Sequence, residues 1–432
     1  MDALKKGVLG NDILRVLAIK PFLLMMISEF CSQLAFNMQH FVLIFLIYSV
    51  TRSNTAVSGM ILSFMIPAVL FSVVTGVYVD RWNKKKVLLY THLIRGTLLL
   101  PFLFPNLHLG FIYALTFLIA VATQFFVPAE SAIIPSLIPK NLIMSANAVF
   151  AFGIYGSTLI GYVLSGPVLL LLGKTNTIVF LVLLFFVGAF FVAGIKVAKK
   201  PESIEKDLSS RSNLSVASQA REIFTFIRRV KKVMHALLML TVAQAVIFMF
   251  AVLAPGYVTT ILEAPLESLS LILIAPAGLG LGLGAFMLGS IGKKFKHKWI
   301  SAVGFMVVGI VFILLPFISR VTSYAFVQSL NYYLPQILHI NILHIIVLLA
   351  FIIGFSISLV FIPSNATIQI ETSEAMRGRM YGLLNFLIGA VSFLPVILAG
   401  GLADLLGVGV VIMGVGVLMV ILSTCYLFLI KF

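Results

Sequence analysis

Charge is what this chain has least of. Only 10% of its 432 residues are Asp, Glu, Lys or Arg, where a soluble globular protein carries about 25%. That shortage, with a mean hydropathy of +1.14, excludes a soluble enzyme and a disordered protein. Cysteine is nearly absent: Cys31 and Cys425 lie in apolar runs near opposite ends of the chain. Two cysteines make no disulfide framework, so a stapled secreted domain is excluded and redox chemistry is not expected. No His/Cys metal cluster, catalytic triad or ATP site can be read from the sequence. Neither a metal nor another cofactor is therefore expected, and energy must come from an ion gradient, with protons favoured, or from the substrate's own gradient. The chain is not expected to be an enzyme.

What is present is apolar sequence in long runs. The AVILMFWYC set makes up 61% of the chain, and about 20 apolar residues cross a bilayer as a helix. Twelve runs qualify: 21–48, 56–79, 87–104, 109–129, 143–172, 177–196, 233–262, 267–291, 299–318, 342–368, 379–403 and 407–430. They are too long for barrel strands, and a lipid-exposed backbone must satisfy its own polar groups, so helices are expected. The fold class is thus an all-α polytopic membrane protein. LGLGLGAF (279–286) has glycines spaced somewhat like a nucleotide loop. It lies inside a span, with no strand before it and no Walker lysine, so close helix packing is the better reading.

Basic residues outnumber acidic ones, 30 to 14, but in a membrane chain their position matters more than their sum. With the N-terminus inside, the inner connections hold 26 Lys and Arg, the outer loops hold Arg52, Lys174 and Arg320, and only Arg95 lies within a span. The positive-inside rule then orients the chain with both termini cytoplasmic. The expected location is the cell (inner) membrane, and nucleic acid is not an expected partner. Residues 1–20 have a short, interrupted apolar stretch and no cleavage pattern, so they are read as a cytoplasmic lead-in rather than a signal peptide.

The long inner segment 198–232 divides the spans six and six, giving bundles at 21–197 and 233–432. Its second part, from Ala217, spaces Ile223, Phe224, Ile227 and Val230 on one helical face with basic residues opposite. This pattern suits a helix lying on an anionic inner leaflet. The halves also match in sequence. GVYVDRWNKKK at Gly76 and GSIGKKFKHKW at Gly289 are 213 residues apart, and the Pro128 and Pro363 segments are 235 apart. The offset grows by 22, which places an insertion at 319–341, read as an extracellular surface helix or flap. At these offsets Asp80 corresponds to Lys293 and Glu130 to Asn365. The first half is therefore expected to supply the conformational switch, and the second to act mainly as scaffold.

The motif after the second span carries a family resemblance. Gly76, Asp80, Arg81, Lys85 and Lys86 match the pattern G-x-x-x-D-[RK]-x-G-x-[RK]-[RK], with Asn83 where glycine is usual. Asn tolerates left-handed backbone angles, so the turn is expected to survive. Twelve spans in two halves with this motif resemble the major facilitator superfamily. The segments 126–150 and 371–385, with REIFTFIRRVKKVMHALL, are similar to the branch of macrolide-efflux proteins and the enterobactin exporter. The resemblance implies two pseudo-symmetric six-helix bundles with a substrate site between them. It also implies a latch in which Asp80, with Gly76, Arg81, Lys85 and Glu130 nearby, meets Arg377 or Arg379 at the inner end of span eleven.

Glu29 is the most informative residue inside a span. A charged side chain at a helix centre costs about 2.5–3.5 kcal/mol on insertion scales, so it is expected to have a task. Glu29, Gln33, Asn37 and His40 fall within an arc of about 80°, a polar stripe expected to face a wet cavity or another helix; the resemblance, in which the first span lines the central cavity, favours the cavity. A carboxyl withdrawn from water favours its neutral form, so Glu29 is expected to take up a proton as substrate leaves. Gln124, Gln244, Asn365 and Asn385 are further candidates for the cavity lining. Arg95, on a span that the resemblance makes peripheral, is close enough to the inner face to snorkel, and a structural pairing is expected rather than a part in transport.

The leading expectation is a monomeric secondary transporter, working by alternating access, that exports a small amphipathic or lipophilic compound in exchange for protons. A lipid or lysophospholipid flippase and a non-transporting scaffold or receptor are the alternatives.

Overall fold

A computed structural model describes residues 12–105, 107–196, 225–226, 228–291, 297–318, 331–332 and 341–429. Nearly all of them are helical. We label the spans α1 (Lys20–Thr51), α2 (Asn54–Arg81), α3 (Lys84–Leu99), α4 (Leu109–Leu137), α5 and α6 (143–172 and 174–193), α7 (Lys231–Gly256), α8 (Ala275–Ile291), α9 (His297–Ile318), α10 (Ile342–Glu371), α11 (Glu374–Leu406) and α12 (Val408–Leu429). A short helix, Asp12–Leu17, precedes α1 and is tied by an Arg15–Asp12 pair at 2.9 Å. Eleven continuous helices among the described residues are long and apolar enough to cross a membrane. The longest, Ile143–Ala193, is two spans meeting at Gly173, whose φ of 72° breaks the helix. Glycine reaches that angle without steric cost. Twelve spans result, as expected. Of the amphipathic segment from Ala217, residues 225–226 and 228–232 are described, and Phe226 and Val230 pack against the apolar residues of α7, α10 and α11; of the 319–341 insertion only 331–332 and 341 are described.

Prolines sit inside α2, α4, α5, α7, α9, α10 and α11. Pro276 is the second residue of α8. Before α8 the chain makes a π-helical turn, Ser270–Ile274, and α7 runs on into another, Tyr257–Ile261.

The chain forms two compact units: Met1–Val42 with Ile66–Glu222, and Leu43–Met65 with Ile223–Phe432. The second half of the sequence is thus joined in its unit by the end of α1 and the start of α2. The division expected from sequence gave all of 21–197 to the first bundle.

The first unit has an apolar core at one end of its helices. Phe22 and Met25 pack there with Val79, Leu88, Ile133, Ala146 and Val192, from the ends of α2, α4 and α6 and the starts of α1, α3 and α5. In the second unit Val233, Leu237 and Leu240 of α7 pack with Ile368 of α10 and Met380 and Leu384 of α11. Large apolar side chains such as Phe152, Leu171, Phe190 and Phe428 remain exposed, as a lipid-facing surface requires. Lipid is as apolar as leucine, so helix contacts must rest on close packing and hydrogen bonds.

Candidate functional site

Three helices of the first unit bring buried polar groups together. On α1 the expected stripe forms a ladder along one face. Gln33 Nε2 donates to Glu29 Oε1 at 2.9 Å, and Asn37 Nδ2 donates to the Gln33 carbonyl at 2.7 Å and to Thr158 Oγ1 of α5 at 3.3 Å. His40 Nδ1 lies 2.8 Å from the Phe36 carbonyl, one turn back. Glu29 itself is 1% exposed. The carboxylate expected in a wet cavity is instead enclosed by packing within the first unit, while Gln33 and His40 are half-buried. The reason is its neighbours: polar groups on α3 and α4 surround it.

The first neighbour is Arg95 of α3. It is 1% exposed, and its guanidinium carbon stands 4.2 Å from the Phe126 ring centre and 4.7 Å from that of Phe185. Nη2 donates to Ser32 Oγ at 3.0 Å and Nε to the Thr91 carbonyl at 3.3 Å. Arg95 therefore does not reach a surface, because two aromatic faces and a serine hydroxyl receive its charge inside the unit. His92, one turn earlier and fully buried, lies 3.0 Å through Nε2 from Ser28 Oγ, which donates to the Gly188 carbonyl of α6. With the hydroxyl proton used on that carbonyl, the ring donates through Nε2–H and its Nδ1 lone pair faces Arg95, 3.5 Å from Nη2.

The second neighbour is Glu130 of α4, which is 4% exposed. Its carboxyl lies close to that of Glu29, and the Arg95 charge acts on both. Two carboxylates side by side away from water repel each other unless a proton lies between them. Glu29 Oε2 is buried with no hydrogen-bond partner among the described residues. No direct ion pair holds Arg95 to either acid, since the ion pairs among the described residues are Arg15–Asp12 and Lys232–Glu371. With one proton shared, the two acids carry a single negative charge opposite one guanidinium. The cluster is then neutral, the condition for burying it at tolerable cost.

Sequence reasoning placed Glu130 among the inner latch groups and missed Ser28 and Ser32. The available signal was the sharing of unusual residues: Ser28 and Ser32 are one turn apart on the helix of Glu29, and His92 and Arg95 one turn apart on α3.

The other latch candidates are only partly described. Gly76, Asp80 and Arg81 lie on α2, but their side chains are outside the described residues. Lys85 Nζ donates to the Ala193 carbonyl at 2.7 Å. Asn83 has φ −69° and ψ 109°, not a left-handed conformation, and its side chain caps α3 by accepting from Lys86 N at 3.1 Å. It replaces the family's glycine by ending one helix and starting the next. In the second unit Arg377 Nε donates to the Gln369 carbonyl at 3.1 Å, and Arg379 is half-buried. Asn365 accepts from Tyr381 Oη at 3.1 Å, Gln124 and Gln244 are half-buried, and Asn385 is exposed on α11.

The family model for the Major Facilitator Superfamily matches residues 25–395. The chain belongs to the major facilitator superfamily. It is therefore a member of a transporter family, not an enzyme. Among similar proteins, the uncharacterised MFS-type transporter YfmI of Bacillus subtilis (strain 168) is 22% identical over 409 residues, covering 93% of this chain and 94% of that one. The candidate bacilysin exporter BacE of the same organism is 34% identical over 146 residues. That match spans 33% of this chain and 36% of BacE, so this chain aligns with only about a third of that relative's length. Among solved structures, the nucleoside transporter NupG superposes with a TM-score of 0.72 at 12% identity, covering 95% of this chain and 99% of that one. A bacterial homologue of the human lysosomal transporter Spinster, inward-facing and unoccupied, gives 0.67 at 11%, covering 95% and 96%. At such identities these structures speak for the superfamily fold alone.

Proposed function

We propose that this superfamily member is a secondary active transporter that exports a small amphipathic or lipophilic compound by alternating access, coupled to protons. The observation that carries the reading is the buried Glu29–Glu130 pair beside Arg95. Removing the shared proton leaves two negative charges against one positive charge. Adding a second proton leaves the guanidinium uncompensated. Either change is costly away from water, so each proton step favours a rearrangement that admits water or a compensating charge. Gln33 and Asn37 connect the pair to less buried parts of α1 and are the groups through which substrate and proton would sense each other. Export is supported by the likeness to the macrolide-efflux and enterobactin-exporter branch and by the partial match to BacE. Both termini are placed in the cytoplasm at the cell membrane, with a monomer bound by anionic inner-leaflet lipid. The same proposal assigns Asp80 and Arg377 to an inner latch.

The test is flux in proteoliposomes with and without an imposed pH gradient, using bacilysin, a macrolide and a catecholate siderophore as probes. Wild-type flux should rise about tenfold with the gradient. Glu29→Gln and Glu130→Gln should lose that dependence while retaining substrate exchange. Flux that ignores both the gradient and the substitutions would remove proton coupling. No flux of any probe, with a stable partner on purification, would favour a scaffold.

A further inference from the structure

A second polar cluster stands at the turn between α1 and α2. Ser53 is the N-cap of α2, accepting from Ala56 N at 3.2 Å and donating through Oγ to Asp404 Oδ2 at 2.6 Å. Asp404 is at the far end of α11, 351 residues away in sequence. Its Oδ1 accepts from Asn54 N at 2.8 Å and from Asn54 Nδ2 at 2.9 Å, and its Oδ2 accepts from Thr55 N at 3.0 Å. The first turn of a helix leaves its N–H groups without intrahelical partners. Here the N–H groups of residues 54 and 55 are satisfied by a carboxylate from another helix, and that of 56 by the cap serine. A negative charge is also the favoured partner for that helix end.

Packing below this cap is tight. Ser58 Oγ donates to the Val396 carbonyl of α11 at 2.8 Å. Gly400 of α11 lies so close that a Cβ there would collide with Ser58 Oγ and stand 2.7 Å from the Asn54 carbonyl. A Cβ on Gly256 of α7 would stand 2.6 Å from Val408 Cγ2 and 2.8 Å from Asn54 Oδ1. Tyr48 Oη accepts from Thr259 at 3.2 Å. The segment Leu43–Met65 is thereby held within the second unit, although the remainder of α1 and α2 belongs to the first.

We propose that the Asp404 carboxylate, seated on the first turn of α2 over the Gly400 contact, is a releasable latch at the outer face that holds 43–65 on the second-half helices. The inference rests on the alternating-access reading and on the outward placement of Arg52. Two features suit release. Asp404 and Thr55 are exposed at the rim, so water can take over the freed carboxylate and N–H groups. The Ser58–Val396 bond and the two glycine contacts involve no charge, so parting them strands no ion in the bilayer.

The experiment measures labelling of single cysteines by a membrane-impermeant maleimide, applied from outside to the full chain with Cys31→Ser and Cys425→Ser. Val57→Cys is the reporter, because Val57 is 0% exposed beneath the cap. Arg52→Cys, on the exposed turn, is the reference. Asp404→Ala should raise Val57→Cys labelling about tenfold relative to Arg52→Cys. Gly400→Ala, which leaves the carboxylate intact but blocks the approach, should act in the same direction. Asp404→Asn, which still accepts hydrogen bonds, should fall between. Equal ratios for Asp404→Ala, Gly400→Ala and the parent would overturn the latch, and an Arg52→Cys reference unlabelled from outside would overturn its placement. Neither readout requires transport: a parent without flux but with the expected labelling refutes the transport reading and leaves the latch standing.

Discussion

The two units of this protein are glued in different ways. Among the described residues, every buried Asp, Glu, His, Lys or Arg side chain belongs to the first unit: Glu29, His92, Arg95 and Glu130. Buried polar side chains of the second are uncharged, mostly serine and threonine hydroxyls such as Ser356, Ser358 and Ser423. Its helices instead meet backbone to backbone. A Cβ on Gly280 or Gly354 would collide with backbone of the facing helix, α10 or α8, and one on Gly309 would stand 2.8 Å from the Gly416 carbonyl of α12. Contacts made through glycine and hydroxyls are insensitive to proton and ion binding. The buried charges of the first unit are not, and they are the groups on which the proposed proton coupling rests.

The largest test of that contrast is Arg95→Ala. The variant leaves two buried acids without their compensating charge, and breaking a buried charge arrangement by removing one partner costs about 3–5 kcal/mol. Thermal unfolding in detergent should show a marked drop in Tm. Adding Glu130→Gln in the same chain should recover part of it, because the surplus negative charge is then gone. An unchanged Tm in the single variant would mean that the guanidinium and the acids do not act as one group.

Next in size is Gly354→Val in the second unit. The new side chain would meet the Ala277 backbone, with the carbonyl carbon 2.5 Å from its Cβ, and no rotamer relieves a clash with backbone. Overpacking of this kind costs about 1–3 kcal/mol. Gly414→Val, at a position with nothing within 4 Å, should leave Tm nearly unchanged. Equal Tm values for the two variants would refute close packing as the glue of this unit.

The contrast itself was partly legible in sequence. The twelve spans followed from run length, since the cost of an unsatisfied backbone in lipid leaves helix as the one solution for runs of this length. The spacing of LGLGLGAF also read correctly as packing: Gly280 and Gly284, one turn apart, face α10, while Gly282 touches nothing. The absence of Asp80 and Glu130 equivalents in the second half pointed to the asymmetry. What the sequence did not show is which distant charges meet. Arg95 was assigned to a surface because snorkelling is a property of one helix, whereas its burial depends on Phe126 and Phe185 from two others. Glu29 drew attention as a lone acid, but its partner lies 101 residues on. Asp404 carried no warning: an acid near the end of a span is ordinary until a helix N-terminus is found beneath it.

The smallest effect sharpens the comparison most, because it applies one chemical change to both units. Ser423 Oγ donates to the Ala302 carbonyl at 2.6 Å, joining α12 to α9. Ser32 Oγ accepts from Arg95 Nη2 at 3.0 Å, joining α1 to α3. Each serine is almost fully buried. In Ser423→Ala the carbonyl keeps its place in the backbone ladder of α9, so no group is stranded. Interhelical side-chain bonds in membranes average about 0.6 kcal/mol, and a loss of that size is expected. In Ser32→Ala a guanidinium N–H loses its acceptor inside a cluster that water does not enter, and bonds to charged groups are worth about 1.5–3 kcal/mol. Ser32→Ala should therefore lower Tm by roughly three times as much as Ser423→Ala. Equal shifts would show that the Arg95 charge is satisfied by its aromatic neighbours alone, and that the first unit's polar cluster is no more demanding than the hydroxyl glue of the second.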